Sequence, residues 1–210
     1  MSDMICRLCD KPIKRGERWT SIGREFYHWE CYEKFCRDNF LKKLKIAKGR
    51  LSRIPILEIL TKEQVYSMKR HDAIVLTLKE YLERWGFSTK RECWLNSAVT
   101  DALLYEAVQP KHKQPPSVRD SRIHEGGYRI DLVAVLGISL RWCVGILIEV
   151  SLRDITEDVE KLKLFRNIKW KVVVTENLEG ELNNIKIVKI DNFHKFVDHV
   201  LDEEIKELSG

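Results

Sequence analysis

Residues 128–151 read YRIDLVAVLGISLRWCVGILIEVS, and this stretch decides the fold. Residues 128–136 and 142–151 are two apolar runs rich in β-branched side chains, the composition of buried strands. Gly137 and the few residues after it suit a hairpin connection. One acid interrupts each run, Asp131 in the first and Glu149 in the second. A buried carboxylate without a partner is costly, so each acid needs a partner or a metal. If the hairpin turns near residue 140, position 131 lies opposite position 149. Directly opposed Cβ atoms are roughly 5 Å apart. Two carboxylates at that separation repel unless they share a proton or a cation. A divalent ion that prefers oxygen ligands, magnesium or manganese, relieves the repulsion. The plainer alternative is a pair of acids at strand ends, met by solvent or by Arg129.

Working outward, Asp154 can cap a following helix with Glu157 at its third position. Ile155, Val159, Leu162, Phe165 and Ile168 give that helix one apolar face. Residues 170–175 form a short continuous apolar run, as a buried strand does. Residues 185–190 suit another strand, and residues 192–208 a final amphipathic helix. Upstream, Thr61-Lys62-Glu63-Gln64 has the form of a capping box, and its helical stripe runs to Trp85 and Gly86. Residues 89–95 alternate as a strand, and residues 97–108 suit a short helix. Residues 109–127, QPKHKQPPSVRDSRIHEGG, make a long polar, basic loop, which inside a domain points to function or disorder.

The order helix, strand, strand, strand, helix, strand, with its two acids, resembles the PD-(D/E)xK nuclease superfamily. That is the fold of many restriction enzymes and archaeal Holliday-junction resolvases. The resemblance covers residues 65–176 and implies a restriction-endonuclease-like αβββαβ domain. In that family an Asp begins the second core strand and a Glu-x-Lys ends the third. Asp131, in RIDLVAV, matches the first position, and Glu149, in IEVS, the second. An earlier acid is common there. Glu80 or Glu92 could serve, and Glu92 is favoured because it lies on the first strand. The family's Lys falls where this chain has Ser151. Some members supply the Lys from the next helix, and Lys161 is then the candidate. The resemblance implies an endonuclease with Asp131 and Glu149 on magnesium or manganese. A domain that keeps the fold and binds nucleic acid without cleaving it is the alternative.

The N-terminal residues carry different chemistry. Cys6-x2-Cys9-x18-His28-x2-Cys31 offers four N/S ligands at the spacing of a closed tetrahedral zinc site. Cys36 is a spare thiol, less well spaced than Cys31. With Ile13, Gly16 and Tyr27 around it, the pattern resembles the treble-clef fingers of LIM domains and of poly-ADP-ribose polymerase. It implies a structural zinc, and LIM-like fingers add the alternative of a protein–protein adaptor.

A helix over 29–48, stopped by Gly49, leaves the zinc motif. It carries Lys42, Lys43, Lys45 and Lys48, with Arg50 beyond. Residues 1–53 hold fourteen Lys and Arg against seven Asp and Glu, within a net charge of +5 for the chain. Such asymmetry points to a polyanion, and these five cations are the candidate nucleic-acid contacts. The organisation expected is a zinc finger with basic helix over 1–48, a linker over 49–60 and an α/β nuclease-like domain over 61–210. The expected partner is nucleic acid, DNA first, with a homodimer as a further option and no membrane. No apolar run is long enough to span a bilayer and no signal peptide opens the sequence, so a cytoplasmic location is expected.

Overall fold

A computed structural model describes residues 4–51, 69–109 and 127–210. In chain order the elements begin with β1 (Trp19–Ile22), β2 (Glu25–His28), α1 (Trp29–Leu51), α2 (Arg70–Arg84) and β3 (Ser88–Leu95). Next come α3 (Asp101–Val108), β4 (Tyr128–Gly137), β5 (Cys143–Val150), α4 (Thr156–Lys163) and β6 (Trp170–Thr175). The last are β7 (Gly180–Leu182), β8 (Ile185–Lys189), a 3-10 turn (Ile190–Asn192) and α5 (Phe193–Ser209).

The two apolar runs form the expected hairpin. Leu132 pairs with Ile148 and Gly137 with Cys143, which brings Asp131 to the level of Glu149. β3 adds antiparallel to β4 on the other side. After β5 the chain crosses over through α4 and returns as β6, parallel to β5. β8 lies parallel to β6, and β7 pairs antiparallel with β8 at the edge. The order across the sheet is β3-β4-β5-β6-β8-β7. β7 is three residues long and carries no apolar signal, so the sequence pattern did not announce it.

Continuous apolar strands require cover on both faces. One face packs on α2, α5 and α1, through residues such as Leu78, Tyr81, Phe193, Val197, Phe40 and Leu44. The other packs on α3 and the α4 region, through Leu104, Val159, Leu162 and Phe165. The protein is thus mixed α/β, with a sheet between helical layers. α3 lies close on β5 at Gly145, where a Cβ would stand 2.6 Å from Leu104 Cδ1. α1 has its second half in the main core, since Phe40, Leu44 and Ala47 are buried there.

Several boundaries differ from expectation. α1 continues through Gly49 to Leu51. A mid-helix glycine costs about 1 kcal/mol, which the core contacts of Leu44 and Ala47 offset. α4 is shorter than its apolar stripe: Phe165 and Ile168 are buried from the turns that follow it. The helix expected over 97–108 starts at Asp101. The capping box at 61–64 and the loop residues 110–126, with His112 and His124, lie outside the described residues. Among the described residues, no helix is long and apolar enough to cross a membrane.

Candidate active site and metal centre

Cys6, Cys9, His28 and Cys31 converge, with their donor atoms all within 4.8 Å of one another. The first two sit on a tight turn in which the Asp10 N–H donates to the Cys6 carbonyl at 2.9 Å. His28 ends β2 and Cys31 lies in the first turn of α1. Cys36 is not part of the group. His28 Nδ1 is 3.3 Å from Cys9 Sγ, so this nitrogen faces the cluster. Its Nε2 is 3.2 Å from a Glu17 carboxylate oxygen. A carboxylate on the far nitrogen is what a metal-bound imidazole commonly has, because it fixes the tautomer and ring orientation. Burial opposes a Cys6 thiolate, but the backbone N–H groups of His28, Leu8 and Cys9 outweigh it and lower the thiol to about 6. Burial and the neighbouring Cys9 and Cys6 thiols push Cys31 up to about 11. Three thiols crowded in this way repel as anions until a cation shares their charge. The cluster can hold a metal ion such as zinc. In the sequence Glu17 looks like an ordinary turn acid, and only the fold brings it to His28.

The second constellation lies at the open end of the β4–β5 hairpin. Asp131 Oδ2 accepts the Val150 backbone N–H at 2.9 Å, in the fork where the ladder between the strands ends. Glu149 is fully buried. Burial first, and the Asp131 carboxylate beside it second, push its carboxyl up to about 9. Lys161, on α4, brings its ammonium 2.8 Å from Glu149 Oε2. Burial disfavours that ammonium, but the surrounding carboxylates of Glu149, Asp158 and Asp131 outweigh it and raise its pKa. Even so, among the described residues neither Glu149 oxygen receives a well-directed hydrogen bond. Asp158, one helical turn before Lys161, is 3.5 Å from the same ammonium, and burial raises its own pKa. Ser151 is buried at the end of β5 and donates its hydroxyl to the Asp154 carbonyl at 2.8 Å. On the opposite side, His71 from the first turn of α2 places Nε2 3.0 Å from Asp131 Oδ2. Its Nδ1 is 3.3 Å from Asp72 Oδ1.

Asp131, Glu149, Lys161 and Ser151 are therefore together, and Asp158 and His71 join them. Glu92 lies on β3 at the level of Asp131, with no hydrogen bond or ion pair to the group among the described residues. Its φ is +47°, a left-handed conformation that is uncommon for a side chain other than glycine. Its carboxylate is exposed and stands 3.9 Å from Arg129 Nη1. Side-chain alternation along the facing strand β4 breaks at the same level, because Ile130 joins the same cluster as Val133 and Val135 while Leu132 joins the other.

The five candidate cations divide. Lys43 donates to the Gly137 carbonyl at 2.5 Å and is half-buried, which lowers its pKa. Lys48 pairs with Asp202 of α5. Lys42, Lys45 and Arg50 are exposed, the first two beside Asp38, Leu41 and Ile46 in a shallow surface groove.

No family model matches the chain, and neither a curated protein nor a solved structure matches it.

Proposed function

We propose that the protein binds nucleic acid and hydrolyses phosphodiester bonds with a divalent metal ion, DNA being the first candidate substrate. The observation that carries the reading is Glu149, whose two oxygens are buried beside Asp131 without a well-directed hydrogen bond. Such an acid calls for a cation. Asp131 and Glu149 would hold magnesium or manganese, with Asp158 next to them. The ion supplies Lewis-acid polarisation of a phosphoryl oxygen and a more acidic bound water. Lys161 answers the absence of a lysine at position 151. It reaches Glu149 from the following helix, where its ammonium can meet a phosphate oxygen. His71 braces Asp131 from the other side. The nuclease-superfamily resemblance and a treble-clef finger with a structural zinc at Cys6, Cys9, His28 and Cys31 belong to this same proposal.

One observation favours a second reading, in which the domain binds nucleic acid without cleaving it. The Lys161 ammonium already lies against Glu149 and can neutralise it without a metal. A cleavage assay with Mg²⁺ or Mn²⁺ on branched, single-stranded and duplex DNA separates the two. Cleavage that falls at least a hundredfold in Asp131→Asn and in Glu149→Gln supports the phosphodiesterase. No metal-dependent cleavage of any substrate by the unaltered protein leaves the binding reading.

A further inference from the structure

β3 is an edge strand, and its outer end carries an unusual combination of side chains. Trp94 is 48% exposed, although Cys93 and Leu95 on either side of it are buried. In the ladder it pairs directly with Arg129 of β4, so the two side chains leave the same face of the sheet. Ile130, next to Arg129, is buried in the cluster on the other face. Arg129 thus leaves toward the face covered by α2, and Asp131 is met from that face by His71 of α2. Two residues along a strand are about 7 Å apart, so Arg129 and its partner Trp94 lie near Asp131, on the side that His71 approaches. The Arg129 side chain is 55% exposed, and Glu92 stands 3.9 Å from its Nη1, too distant for a hydrogen bond. Among the described residues, no hydrogen bond takes up its guanidinium. Lys90 and Arg91 precede on the same edge strand.

We infer that Trp94 and Arg129 form a platform for an unpaired nucleotide, the indole stacking on the base and the guanidinium contacting the phosphate. The inference rests on the nucleic-acid reading above and names its substrate class, single-stranded or locally unpaired nucleic acid. An indole can stack only on a base with a free face, which a continuous duplex does not offer. Aromatic stacking combined with basic groups is how single strands are held without regard to sequence. A protein partner fits less well, because the residue paired with Trp94 is the cation Arg129, and Lys90 and Arg91 lie on the same strand.

The test is the binding of a fluorescein-labelled oligothymidylate and of a blunt duplex of equal length, measured by anisotropy without divalent metal. Trp94→Ala should weaken oligothymidylate binding about tenfold, the size expected for losing one stacked base, and change duplex binding less than twofold. Trp94→Phe should restore most of the affinity, and Arg129→Ala should reduce the slope of log affinity against log salt by about one. The inference is overturned if Trp94→Ala binds the oligothymidylate within twofold of the unaltered protein, if both ligands lose equally, or if the unaltered protein binds no oligothymidylate. Metal-free binding stands apart from the cleavage assay, so either idea can fail while the other survives.

Discussion

Asp101 and Glu149 are both acids whose carboxyls lose hydration in the fold, yet different neighbours surround them. Glu149 has Lys161 and Asp131 beside it. Asp101, at the start of α3, packs over Gly145, and one of its oxygens is buried without a hydrogen bond. Burial, and secondarily the charge of Glu204, raise its carboxyl from 3.8 to about 6, against the opposing Gly145 N–H. The folded state thus holds this proton more tightly than the unfolded state. The site costs nothing below the unfolded value, its cost grows as pH rises toward the folded value, and the full penalty applies above it. Asp101→Asn should therefore stabilise the protein by about 2 kcal/mol at neutral pH, after allowance for partial hydration, and by almost nothing near pH 3. Denaturant titrations at both pH values measure the difference, and a gain independent of pH would show that ionisation is not its cause. At this scale the sequence announced Asp131 and Glu149, because an acid inside an apolar strand stands out. It hid His71 and Asp158. On a helix such residues look like any solvated face, and His71 meets Asp131 across a long loop of sequence. Glu92 does lie on the first strand of the sheet, but its φ is +47°, and strand alternation does not say where the side chain of a left-handed residue goes.

At the scale of elements, α1 shows how one helix divides its cations. Its apolar residues Phe40, Leu44 and Ala47 enter the main core, and this seating decides which lysines remain free. Lys43 falls over the hairpin at Gly137, and Lys48 over α5 at Asp202. Lys42 and Lys45 face outward. The two pairs should behave differently when removed. Lys42→Ala with Lys45→Ala should lower the salt slope of nucleic-acid binding by about two and leave the melting temperature nearly unchanged. Lys43→Ala should cost about 1 kcal/mol of stability by orphaning the Gly137 carbonyl, with little effect on binding. Equal affinity and slope in the outer double variant would mean that this face is only solvated. The strands and most helices were legible because their apolar period was strong, as in residues 128–136 and 170–175. The ends of α1 and α4 were not. Gly49 is overridden by packing, and the α4 stripe continues into turns that bury Phe165 and Ile168 without helical structure.

At the scale of the whole molecule the question is how far the Cys/His cluster and the sheet depend on each other. The N-terminal part has little core of its own. β1 and β2 are four residues each, and around them Cys6 and Ile13 are the buried hydrophobic residues. A bound metal would then supply most of the folding energy there. Among the described residues, two links tie this part to the rest. α1 starts with Cys31 near one end and has Phe40, Leu44 and Ala47 in the main core further along. Arg141, from the turn between β4 and β5, pairs with Glu33 and lies 5.8 Å over the Trp29 ring, which Arg18 also approaches at 5.3 Å. The second link is exposed and worth little by itself. The first is apolar, and its buried residues stand two or more helical turns beyond the metal ligands, so they can stay seated when the first turn of α1 frays. Chelation of the metal should therefore unfold the N-terminal part and spare the sheet. Fresh protein is expected to carry one zinc per chain. After removal, limited proteolysis should cut before residue 40 while a fragment containing the sheet persists, and the main thermal transition should move by only a few degrees. Cys9→Ala should reproduce this state. If chelation instead melts the whole chain in one step, α1 transmits the metal's contribution into the core, and the two parts form a single cooperative unit.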